Sequence, residues 1–589
     1  MDIAAWLRKL GLERYAEAFL GNDVDSAVLL TLSADDLREL GVSSLGHRRK
    51  LLEGIAQLRA PTAETDSSGP RPRPAAERRQ LTVLFCDLVG STALAARLDP
   101  EDMGRVIRAY QDCCAEVVKR WEGHVAKYMG DGVLAYFGWP QAHEDEAERA
   151  VRAGLALTGA VAELATPAGA PLAARVGIAT GLVMVGELIG EGVAQEQTVV
   201  GETPNLAARL QALAAPGRVV VSQATRRLVG GLFELTELGP KRLKGFAEPL
   251  AAWRVEGEGR AEGRFEALHG ERLTPLVGRE PELGILLERW AWAKDGDGQV
   301  VLLSGEPGIG KSRVIRTLCE RLGDEPHSAL VHYCSPHHTN SALYPVIGLL
   351  ERAARLDRDE PPEQQLARLE AVLGRASDRS DEAVALLAGL LGLPTGARYP
   401  ALALTPEAQK RRTLQALVDQ LAGLAAQQPV LALYEDVHWI DPSTLELLDL
   451  VIERSQRLPV LVLITFRPEF QPPWTAQAHV TALTMSRLGR RQGADLVARV
   501  TGDKPLPAEI VEQIVARTDG VPLFVEELTK TVLESGLLAD AGDRYELSGP
   551  LPPLAIPMTL HDSLMARLDR LAPVKEVAQI GAAIGREFS

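Results

Sequence analysis

The chain has 589 residues, 46% hydrophobic and 24% charged, too long for one core and too apolar for a disordered polymer, so three or four folded domains are expected. A net charge of -15 argues against a general binder of nucleic acid or anionic membrane, because both call for a basic excess. Five scattered cysteines (Cys86, Cys113, Cys114, Cys319, Cys334) form no even framework and point to a reducing cytoplasm, MDIAAWLRKL is no secretory signal, and the best apolar run, LPVLVLITF ending at Phe466, is far short of the roughly 20 residues of a membrane span.

Residues 1–60 read as short amphipathic helices punctuated by Gly11, Gly21 and Gly41, with Leu12, Tyr15 and Phe19 on one face and Leu51, Ile55 and Leu58 on another. The succession WLRKLGLERYAEAFL, LSADDLRELGV and SLGHRRKLLEGI resembles a SAM domain. That resemblance implies an all-α five-helix bundle and a possible protein partner. The Pro- and Ser-rich stretch 61–78 reads as a linker.

Over 79–255, β-like runs alternate with helical stretches, which predicts an α/β or α+β sandwich. LTVLFCD reads as a strand, HVAKYMGDGVLAYFG as a hairpin bent at its glycines, QAHEDEAERAVRAGLAL as a helix and ARVGIATGLVMVGELIG as a strand pair. Asp87 closes the first strand and Asp131 stands between two glycines, so neighbouring strands would bring two carboxylates together to hold Mg²⁺ or Mn²⁺. Gly90, Ser91 and Thr92 precede a helix, where backbone N–H groups can receive phosphate oxygens. Thr203 is the expected cap of the next helix, with Pro204 at its first position. Asn205 and Arg209 then share one face of it. Cys86 alternates with Asp87 and is expected to be a core thiol.

The ordered set FCDLVGST, KYMGDGVLAYFG, VGIATGLVMVGELIG, VGETPNLAARLQ and KRLKGFAEP resembles the catalytic domain of class III adenylyl and guanylyl cyclases, of α+β ferredoxin-like fold. The resemblance implies Asp87 and Asp131 as ligands of two divalent ions, Lys127 and Thr198 as base-selecting residues, and Asn205 and Arg209 as the groups that orient ribose and stabilise the transition state. Lys127 offers only donors, suited to adenine N1, and the Thr198 hydroxyl can accept from N6. Many relatives carry Asp where Thr198 stands, so purine selectivity stays open. The family's sites are shared between subunits, which implies a head-to-tail homodimer.

A Gly- and charge-rich stretch, 256–272, reads as a second linker, and from Leu273 strand, loop and helix recur as in a doubly wound α/β sheet. GEPGIGKS follows the strand QVVLLS and precedes a helix, the required setting of a phosphate-binding loop. Gly305, Gly308 and Gly310 let backbone N–H groups wrap phosphates, Lys311 reaches the β/γ oxygens, and Ser312 can ligate Mg²⁺, so ATP with Mg²⁺ is the expected ligand. Glu435 ends the strand VLALYE, at the usual metal-side Asp position, and Asp436 follows it, with their division of labour open. HYCSPHH, 332–338, is read as a loop after a strand rather than a zinc site. With LVGREPEL, TFRPEF and RTDGVPLFVEEL, the region resembles signal-transduction AAA-like NTPases. This implies a γ-phosphate sensor at Arg467, nucleotide contact at Pro522, a core over 273–480 and a helical lid over 481–540. The resemblance also implies that residues 541–589 are the start of a further helical or winged-helix module that continues beyond Ser589.

The expected function is a cytoplasmic adenylate cyclase making 3′,5′-cyclic AMP and pyrophosphate from ATP, with SAM and NTPase modules as regulators and a slow ATPase activity open. The alternatives are a guanylate cyclase and an NTP-gated scaffold whose cyclase fold only dimerises. Two nucleotide sites in one chain further suggest that occupancy at Lys311 alters how cyclase domains meet.

Overall fold

The computed structural model describes residues 77–166, 171–187, 197–259, 264–269, 273–357, 360–376, 381–396, 398–399, 402–549, 557–570 and 577, with residues 11–22 and single positions between 7 and 52 of the N-terminal segment. That segment is a unit of its own, 1–75. Its described apolar side chains Leu7, Leu12, Phe19, Val24, Leu29, Leu37, Val42 and Leu51 form one buried cluster, with Tyr15 packed against it. Ile55, Leu58 and the stretch 61–76 lie outside the described residues.

The second unit begins with an eight-stranded sheet in the order β2-β3-β1-β4-β6-β8-β7, with β5 paired to β4. Its strands are β1 (Glu77–Leu88), β2 (His124–Met129), β3 (Gly132–Phe137), β4 (Ala174–Glu187), β5 (Gln197–Val200), β6 (Arg218–Ser222), β7 (Phe233–Lys241) and β8 (Leu250–Glu258). Helices α1 (Ser91–Ala95), α2 (Pro100–Arg120), α3 (Glu146–Ala162) and α4 (Glu202–Leu213) accompany them. β1 is central and buried on both faces, which explains why its sequence is a continuous apolar run. Its Leu84, Cys86 and Leu88 join the core that includes residues of α2 and α3, while Leu81 and Val83 join the core under α4. A fully buried Leu or Val contributes about 1.5–3 kcal/mol through removal from water. Period-2 alternation places Asp87 on the α4 face and Cys86 on the other, where Cys86 accepts a hydrogen bond from Tyr110.

Two local expectations are corrected. ARVGIATGLVMVGE is one continuous strand, β4, rather than a strand pair, because Gly181 pairs with Leu81 in mid-strand instead of turning. The cap of α4 is Gly201, not Thr203, which is buried inside the helix against Gly181. A Cβ on Gly181 would stand 2.6 Å from the Thr203 hydroxyl, so that side chain serves packing. Within the stretch read as a second linker, β8 runs to Glu258 and a short helix, Arg264–His269, packs against Gly231.

A second sheet follows, parallel throughout, in the order β10-β11-β12-β9-β13. It comprises β9 (Gln299–Ser304), β10 (Ser328–Tyr333), β11 (Val430–Glu435), β12 (Val460–Phe466) and β13 (Val480–Thr484), with α5 (Lys311–Leu322) leaving β9. Among the described residues four helices between β10 and β11 contribute to the larger core against it. Helices α6 (Arg490–Val500), α7 (Ala508–Thr518) and α8 (Pro522–Glu534) form a separate apolar cluster beside the sheet. A small hairpin, Leu538–Asp540 with Tyr545–Leu547, and α9 (Met558–Arg570) complete the described part. Among the described residues no helix is long and apolar enough to cross a membrane.

Candidate active site

The register of β1 with β3 pairs Asp87 with Gly132, so Asp131 in the preceding turn comes beside the end of β1, and its carbonyl accepts from the Leu88 N–H. Gln211 of α4 donates from Nε2 to Asp87 Oδ2 at 3.2 Å. The Ser91 hydroxyl donates to Asp131 Oδ2. Burial, and then the Asp131 charge, raise the Asp87 carboxyl above its ordinary range, while Gln211 and Arg175 act in the opposite direction. Two adjacent hard-oxygen donors of like charge fit a divalent cation such as Mg²⁺ or Mn²⁺, whose charge would relieve their repulsion. Gly90 adopts the left-handed conformation (φ 71°) that turns the chain from β1 into α1, the helix holding Ser91 and Thr92.

Lys127 lies on the edge strand β2, opposite Leu134, which in turn faces Phe85, so these residues share the sheet face of Asp87. Thr198 is on β5, its backbone opposite Gly186; its side chain lies outside the described residues. On α4, Thr203, Ala207, Leu210 and Gln211 are buried, whereas Asn205 and Arg209 are exposed on the opposite side. One helix therefore holds Asp87 with its inner face and offers Asn205 and Arg209 outward. The structure brings Asp87 and Asp131 together, and it leaves Asn205 and Arg209 facing away from their own carboxylate pair.

In the second sheet the loop 305–310 joins β9 to α5, with Gly308 and Gly310 at φ 75° and 100°, conformations that L side chains rarely adopt. Lys311 donates to the carbonyls of Gly305 (2.7 Å) and Glu306 (3.2 Å). Burial lowers its pKa to about 8, against the opposing influence of Asp436. Ser312 donates to Glu435 at 2.9 Å, and burial, reinforced by the Asp436 charge, raises Glu435 to about 7. Glu435 meets Ser312, and the Lys311 charge acts on both Glu435 and Asp436. A cavity of about 370 Å³ lies here, lined among others by Lys311, Ser312, Asp436, Arg467 and Pro522. Leu523, next to Pro522, donates from its N–H to the Gly308 carbonyl and so ties α8 to the loop.

Three family models match the chain: the SAM domain (sterile alpha motif) over residues 1–59, the adenylate and guanylate cyclase catalytic domain over 74–257, and the AAA ATPase domain over 275–464. The chain carries a class III cyclase catalytic domain between a SAM domain and an AAA ATPase domain. An uncharacterized protein of Rhizobium meliloti (strain 1021) is 32% identical over 516 residues, 87% of this chain and 49% of that protein. Adenylate cyclase 1 of the same organism is 30% identical over 199 residues, 33% of this chain and 30% of that protein. Among solved structures, the adenylyl cyclase CyaB from P. aeruginosa is 28% identical, covering 31% of this chain and 97% of that one, with a TM-score of 0.29. The chain spans about half or less of the length of these curated relatives.

The cyclase and AAA domains share contacts that no motif announced. His337, from the HYCSPHH loop, meets Asp145 (3.1 Å) and Glu148 (3.3 Å) of α3 and its N-terminal approach. Burial opposes charge on this imidazole, but the two carboxylates outweigh it and hold His337 above its ordinary pKa. Asp145, Glu148 and His337 place three ligand-capable atoms within 4.8 Å of one another. Because Arg149 already pairs with Asp145 and Arg152 with Glu148, the arrangement is an ion-pair network. His332 is buried and stacked on Tyr434, and His338 is stacked on Tyr344, so the three histidines do not converge. Gln211 and Arg175 were both missed by sequence reasoning, since each reaches Asp87 only through a distant helix or strand.

Proposed function

We propose that the protein is an adenylate cyclase that forms 3′,5′-cyclic AMP and pyrophosphate from ATP in a homodimer. The observation that carries this reading is the paired carboxylates of Asp87 and Asp131, joined across the β1/β3 register and tied down by Gln211 and Ser91. Mg²⁺ or Mn²⁺ held by these two residues would supply Lewis-acid activation of the ribose 3′-oxygen and charge neutralisation at the leaving pyrophosphate. Gln211 fixes the orientation of Asp87, and Ser91 fixes that of Asp131. Arg209 balances charge developing on the α-phosphate, and Asn205 orients the ribose. Lys127 and Thr198 present a donor and an acceptor to adenine, the pairing that distinguishes it from guanine.

The outward face of α4 supports sharing between two copies, because Asn205 and Arg209 of one protomer would then serve the carboxylates of the other. Exposed Tyr128 and Met129 of β2 and Leu182 and Met184 of β4 are apolar surface suited to that contact. At the second site, Lys311 and Ser312 would hold ATP with Mg²⁺. The test offers the full chain ATP and GTP together with Mn²⁺ and separates the products; cyclic AMP in excess is expected. Cyclic GMP in excess would reverse the base assignment, and absence of both from a folded dimer would refute the enzymatic reading.

A further inference from the structure

Arg467, just past β12, lines the phosphate-loop cavity but is already paired there with a carboxylate. Its Nη1 and Nη2 donate to Oε1 and Oε2 of Glu144 at 2.9 and 2.7 Å, a two-pronged pair in which neither side chain is more than 13% exposed. Glu144 belongs to the cyclase domain, 323 residues earlier in the chain. It lines the same cavity as Lys311, Ser312, Asp436 and Arg467. The charges of Arg467 and Glu144 both act on the Lys311 ammonium. The guanidinium also lies 5.0 Å from the centre of the Trp439 ring, which limits its freedom to turn elsewhere. A carboxylate thus lines the phosphate-loop cavity, paired with Arg467 and within electrostatic reach of Lys311.

The segment bearing Glu144 connects β3 to α3, and β3 starts immediately after Asp131. It is gripped elsewhere too: the Ala142 N–H donates to Asp569 Oδ2 (2.8 Å) of α9, whose other oxygen accepts from Arg79 of β1 (2.8 Å). His337 meets Asp145 on the following residue. Of these contacts, only Glu144–Arg467 lies inside the phosphate-loop cavity, so it is the one that a nucleotide contests directly.

We propose that Glu144 is an internal stand-in for the third phosphate, so that a nucleoside triphosphate at the P-loop displaces it from Arg467 and releases this segment of the cyclase domain, whereas a diphosphate leaves the contact in place. This rests on the reading of the P-loop cavity as a nucleoside triphosphate site. The physical ground is competition: one guanidinium fork cannot satisfy a carboxylate and a γ-phosphate in the same plane, and both are anions in a partly dry site.

The test measures binding of adenylyl imidodiphosphate and of ADP to the full chain, with Lys311→Ala run in parallel to isolate the P-loop component from the cyclase site. Removing the competitor by Glu144→Gln or Glu144→Ala should tighten the triphosphate analogue roughly tenfold or more and ADP less than about twofold. In the wild-type chain, amide exchange over residues 143–149 should rise with the analogue and not with ADP. The conservative Gln variant keeps the side-chain volume, so a folding defect in the Ala variant leaves the comparison intact. Equal changes for both nucleotides, or none, would overturn the latch while leaving the nucleotide site standing. Loss of all Lys311-dependent binding would instead bring down the site and the latch with it.

Discussion

Gly177→Ala is the most direct probe of how the fold builds the cyclase site. Gly177 lies in β4 under α4, and a Cβ there would stand 2.2 Å from the Ala207 carbonyl oxygen and 2.2 Å from the Gln211 backbone nitrogen. Ordinary heavy-atom contacts begin near 3.5 Å, so α4 must retreat by about 1 Å. Both obstacles are backbone, so no rotamer change relieves them, and the cost falls toward the upper end of the 1–3 kcal/mol typical of overpacking, about 2–3 kcal/mol. At about 2–4 °C per kcal/mol for a domain of this size, melting of the cyclase domain should fall by about 5–10 °C. The same retreat draws Gln211 away from Asp87 and shifts Asn205 and Arg209, and a displacement of that size is expected to lower turnover about 100-fold. The assay pairs Mn²⁺-dependent cyclic nucleotide formation with thermal unfolding of the same preparation. Wild-type melting would refute the close-approach reasoning. Lowered melting with undiminished turnover would separate α4 from catalysis.

Three further outcomes follow from the same geometry. Asp87→Ala and Lys127→Ala chains, each inactive alone, should regain partial activity when mixed; stable, dimer-competent chains that never complement would count against shared sites. Gln211→Leu should reduce activity about tenfold and raise the metal concentration for half-maximal rate, because Asp87 loses its orienting donor; an unchanged metal dependence would show that Gln211 is only packing. Burial lowers the His332 pKa to about 4, below the unfolded value of 6.5, so the unfolded AAA domain binds the extra proton between those pH values. Stability from this group is therefore full above about pH 6.5 and declines as pH falls toward 4, by up to about 3 kcal/mol. His332→Phe should flatten that part of the denaturation-versus-pH curve, and an unaltered slope would assign the effect elsewhere.

Much of the chemistry was legible in contiguous residues, because strand ends, glycine turns and helix starts are dictated locally. LTVLFCD, MGDG and GEPGIGKS each specify a backbone shape and a side chain poised on it, and the structure forms a strand, a turn and a phosphate-type loop there. Local rules failed where packing chose between acceptable options. Thr203 is a good cap in isolation, yet its side chain fills the space above Gly181, and ARVGIATGLVMVGELIG reads as a strand pair until β4 is paired along its length with β1.

The sequence by itself determined which side chains are chemically able to bind metal, base and phosphate, since those abilities belong to residue types and their immediate spacing. Only the tertiary structure decided which of them meet. Asp87 finds Gln211 across 124 residues and Arg467 finds Glu144 across 323, contacts that depend on strand register and domain packing. Such long-range pairs have no local signature, because the free energy that selects them comes from burying whole faces of sheet and helix rather than from the residues that touch.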